Sequence, residues 1–140
     1  ILPCSQLTYV EAVMSQREED LIHACESALL FYGGTPAVIV PDNLKSAVNK
    51  PSRYEAELNE DFAAFAEHYG CVVIPARVRK PRDRALVEGA VKLVYRGIYT
   101  RLEGRVFHDL ESLNAAIRVA LELHNNSLLT RRSYSRREQY

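Results

Sequence analysis

Short β-branched runs and helical stripes alternate along this chain, and their order predicts an α/β fold. Leu7-Thr8-Tyr9-Val10-Glu11-Ala12-Val13 is rich in β-formers, with Thr8, Val10 and Ala12 opposite Leu7, Tyr9 and Val13, and reads as a strand. Ser15-Gln16-Arg17-Glu18 has the form of a capping box and places a helix start at Ser15. Leu21, Ile22, Cys25, Ala28, Leu29 and Tyr32 then recur at helical spacing until Gly33-Gly34 closes the helix. His23 lies beside that stripe with no His or Cys at metal-ligand spacing, so it reads as a surface or boundary residue and not a ligand. Ala37-Val38-Ile39-Val40 is too short for a helix and reads as a buried strand, ended by Pro41, which has no N–H for a ladder. Residues 45–57 show no clean period and contain Pro51, which predicts a loop. Asn59 caps a second helix with Phe62, Phe65, Ala66 and Tyr69 on one face and Gly70 as its stop. Cys71-Val72-Val73-Ile74-Pro75 repeats the pattern of short apolar strand plus proline. Strand, helix, strand, helix, strand in that order implies a sheet with parallel neighbours, covered by helices.

The second half reads differently. Arg77, Arg79, Lys80, Arg82 and Arg84 surround Pro81 with Val78 as the sole apolar anchor, which predicts a mobile basic loop. Asp83 is placed to cap a long helix over residues 84–102, with Val87, Val91, Val94, Ile98 and Leu102 on its buried face. Glu88, Lys92, Arg96 and Tyr99 fall on another face. A last helix over residues 109–125 sets Leu110, Leu113, Ile117, Ala120, Leu121 and His124 on one side. The arginine-rich end, 131–137, reads as polar and loose. Residues 1–127 are therefore expected to form the domain, with 128–140 a basic C-terminal extension. Ile1-Leu2-Pro3 opens in apolar sequence, as if the chain begins inside a strand.

Composition narrows the class without deciding it. At 140 residues and 47% hydrophobic, the chain can bury a core of its own. No apolar run approaches the ~20 residues of a membrane span, and no basic segment leads an apolar one as in a signal peptide. The three cysteines, Cys4, Cys25 and Cys71, form no C-x-x-C pair and are odd in number, which points to a reducing, cytoplasmic setting and away from a disulfide framework or zinc site. Net charge is zero, yet residues 1–76 hold 4 Lys/Arg against 11 Asp/Glu, and residues 77–140 hold 14 against 7. A basic half facing an anionic partner makes nucleic acid the first candidate.

Candidate chemistry lies at Asp42 and Glu88. Asp42 follows a strand end, where ligands bind in open α/β sheets, although Asp42 and Asn43 are also ordinary turn residues. Glu88 sits one turn into a helix after the basic loop, where it could equally form an i,i+4 pair with Lys92. Two carboxylates from distant sequence, among cationic side chains, suit hard divalent cations held between protein and phosphate. Asn43, Lys45, Arg79, Lys80, Arg82, Arg84, Lys92 and Arg96 are the candidates for holding a nucleic-acid backbone.

Pro41-Asp42-Asn43, with Pro81 seven residues before Glu88 and Lys92 beyond it, resembles the retroviral-type integrase core and its bacterial transposase relatives. Val40-Pro41-Asp42-Asn43-Leu44-Lys45-Ser46-Ala47-Val48 and Lys80-Pro81-Arg82-Asp83-Arg84-Ala85-Leu86-Val87-Glu88 are similar to the IstA-like transposases of the insertion-sequence-twenty-one family. Tyr9-Val10-Glu11-Ala12 and His124-Asn125-Asn126 extend that similarity over nearly the whole chain. The resemblance implies an RNase H-like fold, a mixed central sheet flanked by helices and lacking its first strand. It also implies a DDE triad that binds two Mg²⁺ or Mn²⁺ and joins a transposon 3′-OH to target DNA. Asp42 would be the second carboxylate and Glu88 the third; the first Asp would lie upstream of Ile1, leaving this piece inactive alone. The 45 residues between Asp42 and Glu88 exceed the retroviral gap, the excess being expected in 45–57. DNA, a homo-oligomer and an ATPase helper are the implied partners, in the bacterial cytoplasm on the nucleoid. A non-catalytic DNA-binding or assembly module and a hydrolysing RNase H-like nuclease are the competing readings.

Overall fold

The structure, a computed structural model, describes residues 1–41, 48–50, 57–74 and 81–140. It divides into two compact units, residues 1–12 with 85–140, and residues 13–84.

In the unit of residues 13–84, helix α1 (Glu18–Tyr32) is followed by β1 (Val38–Ile39), β2 (Val48–Lys50), β3 (Glu57–Leu58), α2 (Glu60–Tyr69) and β4 (Val72–Val73). The acidic first turn of α1, Glu18-Glu19-Asp20, complements the helix dipole. Gly33 stops the helix in the left-handed conformation (φ 69°), its N–H bonded to Leu30 O while Gly34 N–H reaches Leu29 O. The expected start at Ser15 is three residues early. Ser15 Oγ accepts from Arg17 N–H (3.1 Å) and donates to Asp20, so the chain is still turning where a capping box would already be helical. Asn59 caps α2 as expected, accepting from Asp61 N–H, and Gly70 ends it at φ 67°. Asn59 Nδ2 also donates to Glu18, tying the starts of the two helices together.

β1 and β4 pair in parallel, Val38 with Val72 and Ile39 with Val73, as the order of runs predicts. Leu29, Phe62 and Phe65 form the core of this unit, with Leu21, Ile22, Cys25, Ile39, Tyr69 and Val73 packed on it. The strands are half-buried rather than buried: Ile39 and Val73 face that core, while Val38, Val40, Val72 and Ile74 are exposed. Within the stretch read as a loop, β2 and β3 pair antiparallel.

In the other unit, α3 (Pro81–Val94) runs through a π-helical turn (Tyr95–Tyr99) into α4 (Thr100–Leu102), followed by α5 (Leu110–Asn126) and α6 (Arg136–Gln139). Asp109 caps α5, accepting from Ser112 N–H at 2.7 Å. The core comprises Leu7, Ala90, Val94, Ile98, Leu102, Ala116, Ile117, Ala120 and Leu121.

Residues 7–13 do not form the expected strand. Asn125 on α5 accepts from Thr8 N–H (3.2 Å) and donates to Thr8 O (2.8 Å). Three turns earlier Asn114 does the same for Ala12, at 2.8 and 3.0 Å. Eleven helical residues rise about 16 Å, and four residues of chain span at most about 14 Å. The segment between Thr8 and Ala12 therefore runs almost fully extended and antiparallel to α5, with two carboxamides in place of a neighbouring strand.

Residues 128–140 are folded rather than loose. Leu128 bridges Ser135, Leu129 N–H bonds to Tyr134 O (3.0 Å), and Arg132 N–H to Leu129 O (2.9 Å), closing a tight hairpin. Ser135 and Glu138 form a reciprocal capping box. Arg137 reaches Glu122 on α5 at 2.7 Å, and Arg136 is buried.

Candidate active site

Glu88 is held by a helix whose orientation is fixed by the opposite side. Ala90, Val94, Ile98 and Leu102 are buried at four-residue intervals. Glu88, Lys92 and Arg96 precede them by two residues, about 200° around the helix, and all three are exposed. Packing the apolar row thus turns the Glu88 carboxylate outward, with Lys92 one turn on and Arg96 a further turn on. The expected buried face is slightly rotated: Val91 is 48% exposed, and Ala90 takes its place against the core.

Helix α3 begins at Pro81, three residues before the expected start, so Arg82 and Arg84 lie in its first turn rather than in a loop. Proline is favoured there because the first helical N–H needs no intrahelical partner. Asp83 is accordingly inside the helix and not its cap. Asp42, Asn43, Lys45, Arg79 and Lys80 lie outside the described residues, as does the expected approach of Asp42 to Glu88. Among the described residues no group of three His, Cys, Asp or Glu side chains is placed to hold a metal ion. Of the two candidate carboxylates, Glu88 is the one described, an exposed hard oxygen donor of the kind Mg²⁺ takes, one or two per ion with water completing the shell.

The π-helical turn after Val94 is a feature that sequence reading missed. It widens the helix where it meets α5, and Gly97 is what permits the approach: a Cβ there would lie 3.0 Å from His124 Nδ1. His124 is buried, and burial with the nearby Arg136 charge pushes its pKa from 6.5 down to about 4, so the ring is neutral at pH 7. Exposed Tyr95 and Tyr99, with ring centroids 4.9 Å apart, flank Arg96 on the outer side of the turn. Asn114, Arg136 and Gly97 were also missed, and Asn125 was named only within the family motif, not for its bonds to Thr8. The available signal was polar side chains on the apolar face of α5, three turns apart.

No family model matches the chain. Its fold is that of an integrase catalytic core. It superposes on the catalytic core domain of BIV integrase with a TM-score of 0.71, covering 97% of this chain and 78% of that one at 14% identity. The match to the simian T-cell lymphotropic virus intasome has a TM-score of 0.67, with 91% and 41% covered at 17% identity. This defines the class as α/β, RNase H-like.

In sequence the chain is 46% identical over its full 140 residues to a Sinorhizobium fredii protein named as a transposase. It is 37% identical, again over 140 residues, to one named for insertion sequence IS408 of Burkholderia multivorans. Over 92 residues, 64% of the chain, it is 29% identical to the transposase of insertion sequence IS21 from Pseudomonas aeruginosa. The chain is thus similar in sequence to proteins named as insertion-sequence transposases and has the fold of an integrase catalytic core. It spans about a quarter of the length of these relatives, 27%, 27% and 24% respectively. No helix among the described residues is long and apolar enough to cross a membrane.

Proposed function

We propose that this chain contributes the second and third carboxylates, Asp42 and Glu88, to a DDE transposase that joins a transposon 3′-OH to target DNA. The observation that carries the reading is Glu88 itself. It stands outward on a helix locked by the row opposite, with Lys92 and Arg96 along the same exposed side. Its sequence context is shared with transposases along the whole chain.

Asp42 and Glu88 would hold two Mg²⁺ or Mn²⁺ together with a first Asp from elsewhere in the whole protein. When bound, such ions would supply Lewis-acid stabilisation for the attacking and leaving oxygens of an in-line displacement. Glu88 contributes charge and a fixed direction, since its helix cannot rotate without exposing Val94 and Ile98. Asn43, Lys45, Arg79, Lys80, Arg82, Arg84, Lys92 and Arg96 would hold phosphates, setting the DNA in register without reading its bases. Residues 1–127 would form the catalytic core with 128–140 as its C-terminal extension. A homo-oligomer on DNA, an ATPase helper and a cytoplasmic, nucleoid-associated setting complete the proposal.

The test uses the whole transposase containing this chain, a precleaved transposon end and a supercoiled target. Asp42→Asn and Glu88→Gln should each abolish joining while leaving DNA binding within about twofold, because only a metal ligand is lost. Normal joining by the Glu88→Gln enzyme would refute the assignment. Release of nicked target without joined product would favour a hydrolase instead.

A further inference from the structure

A cavity of about 600 Å³ lies between the π-helical turn, the end of α5 and the hairpin 128–135. Arg96, Arg132 and Arg136 line it, with His124, Thr130 and Tyr134, and no Asp or Glu does so among the described residues. Arg96 and Arg132 are exposed at its rim and Arg136 is buried in its wall, so the hollow presents positive charge both to solvent and at depth.

Arg136 is the informative member. It is 6% exposed, and desolvation lowers its pKa. Nη1 donates to the His124 carbonyl at 3.1 Å, which satisfies an end carbonyl of α5 and gives the residue a structural task. That accounts for one of five guanidinium N–H groups. Among the described residues it has no carboxylate partner, and its side chain borders the cavity.

The backbone around the cavity is strained in the same sense. Gln6 and Arg131 are the non-glycine residues with positive φ among those described, at 58° and 62°. Gln6 lines the cavity, and Arg131 directly precedes Arg132 in the hairpin that carries Arg132 to its rim. Such conformations are strained for residues with a side chain and tend to cluster where a ligand is held. Gly97 belongs to the same wall, where its lack of a Cβ lets the backbone lie against His124.

We infer that this cavity is an anion site for one phosphate group of the DNA backbone, held by Arg132 and Arg136 with Arg96 at its edge. The choice of DNA as the source rests on the transposase reading; the phosphate chemistry does not. Arginine is suited to it, because a planar fork donates two parallel N–H bonds to phosphate oxygens. The site lies at the π-helical turn, about two helical turns along from Glu88, so it would grip the duplex away from the reacting bond.

The test follows the assigned His124 imidazole resonance of the chain while inorganic phosphate, and then a 20-base-pair duplex, is titrated in. A saturable shift with phosphate, displaced in competition by the duplex, is the expected result. Arg132→Gln should weaken phosphate about tenfold, as for loss of a charged hydrogen bond. It should also lower the slope of log K against log salt for DNA by about 1. Because Arg136→Gln could unfold the hairpin, Arg132→Gln on the exposed rim carries the test, and Arg132→Lys should restore the salt slope but not the full affinity. No saturable shift overturns the site. A phosphate-induced shift that duplex DNA leaves undisturbed overturns the DNA assignment. Neither outcome depends on joining activity, so a failure here is separable from a failure at Glu88.

Discussion

Removing the Asn125 carboxamide tests whether two asparagines replace a strand. Asn125 is fully buried and Thr8 is 4% exposed. Asn125→Ala leaves the Thr8 N–H and C=O without their partners, and an unsatisfied buried group costs about 1–3 kcal/mol. Two such groups sum to about 4 kcal/mol, a large part of the 5–15 kcal/mol that holds a typical domain. Asn114→Ala should cost about 2 kcal/mol, since its two bonds to Ala12 are only partly buried and water can replace them. Asn125→Asp separates geometry from chemistry. It keeps the acceptor for Thr8 N–H, loses the donor to Thr8 O, and regains an O–H donor only when its carboxyl is protonated. It should therefore be as unstable as the alanine variant at pH 7 and partly recover near pH 4. Urea midpoints measure the loss, and amide exchange locates it: Asn125→Ala should speed exchange at Thr8 well before Ala12. A loss below about 1 kcal/mol, or unchanged exchange at Thr8, would mean that the segment is held by its side chains and not by the clamp.

Three further outcomes are expected. Gly97→Ala pushes a methyl group to 3.0 Å from His124 Nδ1, and overpacking of this kind costs about 1–3 kcal/mol, read as a fall in Tm; an unchanged Tm would mean the π-helical turn yields freely. Because burial lowers the folded-state pKa of His124 from 6.5 to about 4, the unfolded chain takes the proton first as pH falls: the contribution is complete above about pH 6.5 and lost towards pH 4. It amounts to about 3 kcal/mol before solvent screening and about 2 with it, and urea midpoints of His124→Gln should lack that pH dependence. Replacing Arg82 and Arg84 together by Gln should weaken binding equally for all DNA sequences and reduce the salt slope by about 2; a loss confined to one sequence would contradict phosphate contact.

The same four-residue pattern shows how far local sequence could be read. Ser15-Gln16-Arg17-Glu18 and Ser135-Arg136-Arg137-Glu138 are both S-x-x-E. The second makes the reciprocal capping box, whereas at the first Ser15 turns to Arg17 and Asp20 and α1 starts three residues later. The cap of α2 was legible because Asn59, the aromatic stripe and Gly70 all act within one helix. The parallel β1–β4 pair was legible from the order of apolar runs. The Asn114 and Asn125 clamps were not, since they join residues 102 and 117 positions apart. The arginine-rich end looked solvated because its anchor, the Arg136 bond to the His124 carbonyl, appears only once α5 and the hairpin are in place. At the candidate site, Glu88 was named from its motif, while its exposure and the helix start at Pro81 came from packing.

That packing gives the exposed side of the long helix its meaning. A four-residue repeat drifts about 40° per step on an ideal helix, so a buried row of Ala90, Val94, Ile98 and Leu102 would swing away from α5 over its three steps. The π-helical turn at Tyr95–Tyr99 inserts extra backbone within that row, and Gly97 lets the widened turn lie on His124 while Ile98 and Leu102 stay buried. The register of the polar row is set by the same correction. Glu88 and Lys92 precede the turn and Arg96 lies within it, so the candidate catalytic carboxylate and the edge of the arginine-lined cavity belong to one helix but to different helical registers. A substitution that removed the π-turn would leave Glu88 in place while rotating Arg96 relative to it.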